Sequence, residues 1–96
     1  MFSWDTQKAI TNYEKHGIPF EEAVTVFSDS EGLNWKDLTH SEKEERFKRI
    51  GKSVQKNILM VVYTVRKIKH GKQEKETIRI ISARQASRKE RKAYAR

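Results

Sequence analysis

Arginines in the last third of the chain have the residue type and spacing that phosphate chemistry requires. A β-branched segment from Thr77 to Ala83 contains Arg79 and leads directly to Arg84. A guanidinium group is planar and stays charged, so it can bind two phosphate oxygens at once. We therefore expect this segment to hold a polyanion, and nucleic acid is the commonest polyanion.

A cationic helix is predicted to follow this strand. Ser87 with Glu90 three residues later forms a capping box, which indicates that a helix begins there. The helix could line one side of an RNA groove, with its tyrosine stacking on a base. Equally, its alanines and tyrosine could pack on a sheet while its charges face water. The residues predicted to contact nucleic acid are Arg88, Arg91 and Tyr94 of this helix, and Arg46 and Arg49 of an earlier predicted strand.

RNA cleavage without a metal ion would use the 2′-hydroxyl group of the substrate as the nucleophile at the adjacent phosphorus. The reaction needs a base for the hydroxyl proton, a cation beside the phosphorane, and an acid for the departing 5′-oxygen. Arg79, Arg84 and Arg66 are candidates for the cation. In a regular strand Arg79 and Arg84 have opposite parity, so only one of them is expected on the active face. Arg66, at the end of the neighbouring strand, could meet one of them across the pair.

Proton transfer has four candidates, His40, Glu45, Lys52 and Tyr63, and the sequence leaves the base unresolved. Histidine has a suitable intrinsic pKa, but His40 lies in a polar loop, where a solvated histidine is the commoner case. Lys52 is either a desolvated base near a strand end, a phosphate contact or an exposed charge. Tyr63 lies in a strand, where core packing is the more frequent role. The predicted catalytic set is Arg79, Arg84, Arg66, Lys52 and His40.

The charge of the chain is divided between its two parts. Residues 1–45 hold four lysines against ten acidic residues, a net charge of −6, whereas residues 46–96 hold seventeen cations against three acids, a net charge of +14. One strongly positive face, which attracts phosphate backbones, is expected. That face alone does not separate an RNA-cleaving enzyme from a non-catalytic nucleic-acid-binding module, a DNA-binding corepressor or a structural protein associated with the ribosome.

Length and composition limit the number of domains and the kinds of site that the chain can hold. The 96 residues predict a single domain, 1–96, with a modest core. The chain has no cysteine and its three histidines are widely spaced, so we expect neither a metal site nor a cofactor. The longest apolar run, residues 58–63, is too short to cross a membrane, and the absence of cysteine is compatible with the cytoplasm.

The elements that must position these residues follow an α+β pattern. Asp5 is a good N-cap, with Trp4 placed to pack on Ala9, for a first helix that ends at Gly17. A second helix with an apolar stripe opens at Pro19. Strands are predicted at 33–37, 46–53, 58–66 and 77–83, with a hairpin connection over 67–75. We predict two N-terminal helices packed on a three- to four-stranded antiparallel sheet, with the basic C-terminal helix at its edge or on its opposite face.

Short motifs in a fixed order are the most specific feature of the sequence. They are Phe2-x-Trp4-Asp5, Asn12-x-x-Lys15-His16-Gly17-Ile18-x-Phe20-Glu21-Glu22-Ala23, Glu45-Arg46-Phe47-x-x-Ile50-Gly51, Val62-Tyr63-Thr64, and the strand-to-helix segment from Ile78 to Tyr94. Together they resemble the BrnT toxins of bacterial type II toxin–antitoxin modules over nearly the whole chain.

This resemblance implies a RelE-like fold and a ribonuclease that arrests translation in the cytoplasm. It also implies an RNA substrate and neutralisation by a BrnA-like antitoxin of the ribbon-helix-helix type. An antitoxin that dimerises would draw the toxin into a heterotetramer of two toxins and two antitoxins. The complex would bind its own promoter DNA through the antitoxin.

Overall fold

A five-stranded sheet carries the fold, with the strand order β1-β5-β4-β3-β2. The computed structural model describes residues 1–39 and 43–96, so the predicted catalytic residue His40 lies outside the described residues. β1 and β5 are parallel, and the other three pairs are antiparallel. The strands are β1 (Phe2–Trp4), β2 (Leu33–Asp37), β3 (Arg46–Lys52), β4 (Ile58–His70) and β5 (Gln73–Gln85).

The α+β prediction is confirmed, but the sheet is larger than expected and mixed rather than purely antiparallel. The additional strand is β1, in a segment that the sequence assigned only to the approach of the first helix. The ring of Phe2 lies 5.2 Å from that of Phe27, and the ring of Trp4 lies 5.9 Å from that of Phe20. A three-residue strand is too short to show an alternating pattern, so its pairing is visible only in the structure.

The β4–β5 hairpin is longer than predicted. Both strands continue through the expected connection to a tight turn at Gly71, whose φ of 62° favours glycine. Charged residues of opposite sign face each other across this extension, as in the pairing of Lys67 with Glu76 and of Lys69 with Glu74. Such pairs stabilise an exposed ribbon that has no apolar face, which explains why hydrophobic periodicity did not indicate it.

The described part of the chain also contains three helices: α1 (Thr6–His16), α2 (Phe20–Thr25) and α3 (Arg88–Tyr94). A short 3₁₀ turn, Val26–Ser28, continues α2. The predicted caps are confirmed, because the Asp5 carboxylate accepts a hydrogen bond from the Lys8 N–H at 3.0 Å, and Gly17 ends α1 with a φ of 71°. Ser87 and Glu90 form the predicted capping box of α3.

Both N-terminal helices pack against one face of the sheet. Phe20 and Ala23 of α2 are fully buried against apolar residues of β4 and β5. Full burial of a large apolar side chain such as Phe20 contributes about 1.5–3 kcal/mol, so this layer stabilises the fold. Tyr63 also lies in this core, and its hydroxyl donates a hydrogen bond to Asn34 Oδ1 at 3.0 Å. The core role that sequence favoured for Tyr63 is therefore confirmed.

Gly51 lies in β3, close to the 3₁₀ turn. A Cβ at this position would lie 2.9 Å from Val26 Cβ and 3.0 Å from the Val26 carbonyl oxygen. Because backbone must shift to relieve that overlap, we expect Gly51→Ala to lower the free energy of unfolding by about 1–3 kcal/mol. Urea denaturation measures the change. The exposed Val54 supplies the control, since Val54→Ala should cost less than about 0.5 kcal/mol. Equal stability of the two variants would contradict the prediction.

Candidate nucleic-acid interface

The sheet face opposite α1 and α2 carries most of the predicted cations. Residues that pair across neighbouring strands share a face, so the strand register identifies its members. We call this surface the open face: Leu33, Trp35 and Asp37 of β2, Arg46, Lys48 and Ile50 of β3, Met60, Val62, Thr64 and Arg66 of β4, and Arg79, Ser82 and Arg84 of β5.

A β-bulge at Ile81 brings two predicted catalytic arginines together on the open face. Arg79 pairs with Thr64 and Arg84 pairs with Met60, and Thr64 and Met60 have the same parity on β4. Ile81 is the additional residue, since it has no partner in the β4 register. The expectation that Arg79 and Arg84 lie on opposite faces is therefore wrong, because one inserted residue reverses the alternation.

A shallow groove of about 280 Å³ lies in the middle of the open face. Asp37 is buried at one side, directly opposite Arg46 in the register. Lys48 is half-buried, and its ammonium group forms no hydrogen bond or ion pair with any residue in 1–39 or 43–96. This polar groove therefore offers cations to a phosphate group. Its lining residues are Asp37, Arg46, Lys48, Met60, Val62, Ile81, Ser82 and Arg84.

Arg84 is bound to α3 by a two-pronged ion pair. Its Nη1 and Nη2 donate to the two carboxylate oxygens of Glu90 at 2.8 and 2.9 Å, and Nη1 also donates to the Gln85 carbonyl oxygen at 3.1 Å. Glu90 also accepts the Ser87 N–H at 2.7 Å, as part of the capping box. The guanidinium fork of Arg84 is thus occupied by a carboxylate, and α3 is held over this end of the open face.

The Arg84–Glu90 ion pair also makes the free energy of unfolding depend on pH. Hydrogen bonds from Arg84 lower the pKa of Glu90 from its ordinary value of 4.5 to about 2. A lowered pKa in the folded state means that the unfolded state binds more protons in acid. The stabilisation is therefore complete above pH 4.5 and is lost as the pH falls towards 2. We expect Glu90→Gln to weaken the decline of the free energy of unfolding over this range, as measured by urea denaturation. An unchanged decline would contradict the prediction.

Arg79 is less constrained than Arg84. It is half-buried, and its guanidinium forms no hydrogen bond or ion pair with any described residue. Its charge contributes to the lowered pKa of Asp5, although the Lys8 N–H is the larger cause. Arg66 lies diagonally next to Arg79, opposite Thr77, and pairs with Glu44 at 3.7 Å. These two arginines form one end of the positive surface.

The remaining predicted base, Lys52, lies near the other end of the open face. It is exposed and pairs with Ile58, whereas Arg66 follows Ile58 by eight residues on β4. At about 3.3 Å per residue, this separates Lys52 from Arg66 by roughly 26 Å along the strand. The predicted catalytic residues within the described part of the chain therefore do not form a single cluster.

Two of the predicted nucleic-acid contacts have roles inside the fold. Arg49 is only 8% exposed, and it donates to the carbonyl oxygens of Val26 at 2.9 Å and Asp29 at 2.6 Å. Its guanidinium is therefore not available on the surface, and we leave it out of the proposed interface. The Tyr94 hydroxyl donates to Asp29 Oδ2 at 2.6 Å, which raises the pKa of Tyr94 to about 12. Arg88 and Arg91 are exposed on α3.

Asp29 is the anchor between α3 and the rest of the protein. Burial alone would raise the pKa of its carboxyl group, but hydrogen bonds from Tyr94 and from the N–H groups of Lys52 and Glu31 outweigh burial and lower it. The Lys52 N–H lies 2.8 Å from Oδ2, and the Glu31 N–H lies 2.9 Å from Oδ1. α3 is therefore joined to the body at both ends, through Arg84 and through Tyr94.

The sequence-based site included neither Lys48 nor Trp35. The two residues are paired across β2 and β3, and Trp35 is 41% exposed. Polar and apolar residues do not alternate cleanly along β3, so the sequence pattern of that strand did not place Lys48 on the open face. The strand register was needed, because it decides which residues of two strands meet.

Two negative findings apply to residues 1–39 and 43–96. No group of three or more His, Asp or Glu side chains there is placed to hold a metal ion. No helix in the same residues has the length and apolarity needed to span a membrane.

Comparisons with known proteins agree with this architecture. A family model described as "Ribonuclease toxin, BrnT, of type II toxin-antitoxin system" matches residues 4–90. Among solved structures, the chain is similar to the ribonuclease toxin BrnT of Brucella abortus, with a TM-score of 0.60 and 25% sequence identity. The similarity covers 92% of this chain and 99% of the Brucella chain. The search of curated proteins found no match.

Proposed function

Because the chain belongs to the BrnT family of ribonuclease toxins of type II toxin–antitoxin systems, we propose that it cleaves RNA on the open face of its sheet. The observation that carries this proposal is the bulge at Ile81. It puts Arg79 and Arg84 on the same face as Lys48 and Arg46, while α1 and α2 cover the other face. A positively charged sheet surface with an open groove suits a single RNA strand.

The proposed reaction needs no metal ion. The 2′-hydroxyl group attacks the adjacent phosphorus, a 2′,3′-cyclic phosphate forms, and the 5′-oxygen leaves with a proton. Arg79 and Lys48 are the cations that would stabilise the phosphorane, because neither is neutralised by a described carboxylate. Arg84 would hold the groove in shape through Glu90, and Arg66 would contact a neighbouring phosphate.

Proton transfer requires a group within hydrogen-bond reach of the reacting oxygen. The partner of Lys52 on β4 is Ile58, six residues before Thr64, which pairs with Arg79. That is about 20 Å along the sheet, so Lys52 lies too far from a phosphate held by Arg79 to act as its base. His40 and Glu45 stay the sequence-based candidates for the base.

The proposed partners are those that membership of the BrnT family implies. We propose that a BrnA-like antitoxin of the ribbon-helix-helix type covers the open face and so blocks RNA. Two toxins and two antitoxins would form the complex, which would bind promoter DNA through the antitoxin. The cytoplasm, where translation is arrested, is the proposed location. Light scattering of the purified complex would test the stoichiometry.

One experiment tests the activity directly. The purified protein, freed of any antitoxin and kept in EDTA, should cleave RNA into products that end in 2′,3′-cyclic phosphates. Loss of activity in EDTA with recovery on adding a metal would overturn metal independence. Folded protein that binds RNA and leaves it intact would instead favour the non-catalytic nucleic-acid-binding module. Protein synthesis in a cell extract would report the inhibition of translation.

A further inference from the structure

An exposed tryptophan at the edge of the open face has no role in the proposed cleavage. Trp35 lies on β2, the last strand of the sheet, and is 41% exposed. The other tryptophan, Trp4, packs against the ring of Phe20 in the helix layer. Exposing a large indole ring costs free energy, because its apolar surface stays in water. A ligand that covers this ring would recover that free energy.

The strand register shows on which face of the sheet the Trp35 side chain lies. Its neighbour on β2, Asn34, faces the helix layer, where its Oδ1 accepts the hydrogen bond from the Tyr63 hydroxyl. Successive side chains of a strand point to opposite faces, so Trp35 lies on the open face. Its cross-strand partner there is Lys48.

Trp35 and Lys48 begin a row that crosses the sheet into the groove. Lys48 pairs with Val62, and Val62 pairs with Ser82. Neighbouring strands lie about 4.8 Å apart, so the indole and the ammonium group are within reach of the same nucleotide. An aromatic face for the base and a cation for the phosphate are the two groups with which proteins hold an unpaired nucleotide.

We propose that Trp35 stacks on an unpaired base while Lys48 binds the adjacent phosphate, and that this pair restricts the substrate to single-stranded RNA. The inference rests on the proposed function. In a duplex the bases are already stacked and paired, so their faces are closed to the indole. A protein strand added to the free edge of β2 is the competing occupant. RNA is favoured because Lys48, whose ammonium group forms no ion pair with a described residue, lies between Trp35 and the groove.

A fluorescence experiment isolates Trp35. The chain has two tryptophans, so Trp4→Phe leaves Trp35 as the sole indole. The ligands are an unstructured 2′-O-methyl oligoribonucleotide, which lacks the nucleophile, and its blunt duplex. We expect the single strand to quench the emission and the duplex to leave it unchanged. Unchanged emission with a bound single strand would overturn the inference.

Affinity measurements on variants give a second readout. We expect Trp35→Ala to weaken single-strand binding by about 10- to 100-fold, and Trp35→Phe to retain most of it. The control is Leu38→Ala, an apolar residue that is 81% exposed and lies just beyond β2. It should bind like the parent protein. Lys48→Ala should reduce the salt dependence of binding by about one phosphate contact.

The outcomes separate the two proposals. If the parent protein cleaves RNA and Trp35→Ala binds and cleaves equally well, the inference fails and the proposed function stands. If the folded parent protein neither binds nor cleaves RNA, both fail. If Trp35→Ala loses only binding of the antitoxin, β2 is a protein contact and the inference is overturned. Circular dichroism confirms the folding of each variant.

Discussion

Arg79→Ala is expected to reduce the rate of RNA cleavage by about 100- to 1,000-fold, the usual effect of removing one donor to a transition-state oxyanion. Arg79 is half-buried on the open face, and its guanidinium forms no hydrogen bond or ion pair with any residue that the structure describes. Its removal should therefore change the free energy of unfolding by less than about 1 kcal/mol. Single-turnover cleavage of a short RNA, beside a urea denaturation curve, measures both quantities.

Three variants distinguish this role from general charge loss. Arg79→Lys should recover only part of the rate, because an ammonium group is a point charge and lacks the planar fork of arginine. Lys72→Ala, at the tip of the β4–β5 hairpin, removes the same unit of charge far from the groove and should cleave normally. Arg84→Ala should lose stability as well as rate, since Glu90 would be left without its partner. Normal cleavage by Arg79→Ala would remove Arg79 from the mechanism.

Asn12→Ala is expected to destabilise the fold by about 2–5 kcal/mol, the largest stability change among the predictions. Asn12 is 7% exposed, and its Nδ2 donates to the carbonyl oxygens of Ala83 at 2.8 Å and Ile18 at 3.2 Å. Its Oδ1 accepts the Ala83 N–H at 3.1 Å. Truncation would leave these buried backbone groups without partners, and each unpaired group costs about 1–3 kcal/mol.

The Asn12 side-chain amide stabilises the fold because it lies at an edge of β5 that β1 leaves unpaired. β1 pairs with Ile78, Arg79 and Ile80 of β5, and among the described residues no strand lies beside the edge of β5 beyond the bulge. The Asn12 amide donates to and accepts from Ala83 there, as a residue of a neighbouring strand would. Asn12 therefore helps to hold the segment that carries Arg84.

Urea denaturation tests this prediction, with a matched control on the same helix. Glu14→Ala, at an exposed position of α1, should stay within about 0.5 kcal/mol of the parent protein. Asn12→Asp keeps the acceptor for the Ala83 N–H but loses both donors, and should also be strongly destabilised. Parent-like stability of Asn12→Ala would show that water replaces the amide. That result would remove Asn12 from the account of the fold.

Local signals predicted much of the fold. The helix boundaries at Asp5, Gly17 and Ser87 were predicted correctly, because a cap depends on residues within one turn of each other. The Ser87–Glu90 capping box was predicted from its spacing alone. The strand β1 was missed, since its stability comes from pairing with β5 more than seventy residues later. The outer part of the β4–β5 hairpin was missed because charge pairs, and not apolar alternation, support it.

The candidate site was predicted less completely. The residue types were sound, since the groove contains Arg46 and Arg84, and Arg79 lies on the same face. Their grouping was not predicted correctly. Lys52 and Arg66 were assigned to one catalytic set, but they lie far apart along the sheet. Arg49 shows the same limit: its charge indicated an RNA contact, but its guanidinium binds two backbone carbonyl groups inside the fold.

The amino-acid sequence was enough to predict the α+β class, the helix caps at Asp5, Gly17 and Ser87, the concentration of positive charge after residue 45 and the resemblance to BrnT toxins. These properties depend on composition and on residues close together in the chain. Which cations share a face depends on the folded sheet, because a single unpaired residue, Ile81, reverses the alternation of β5. The bulge is defined by the register between β4 and β5, which is a property of two strands and not of either one.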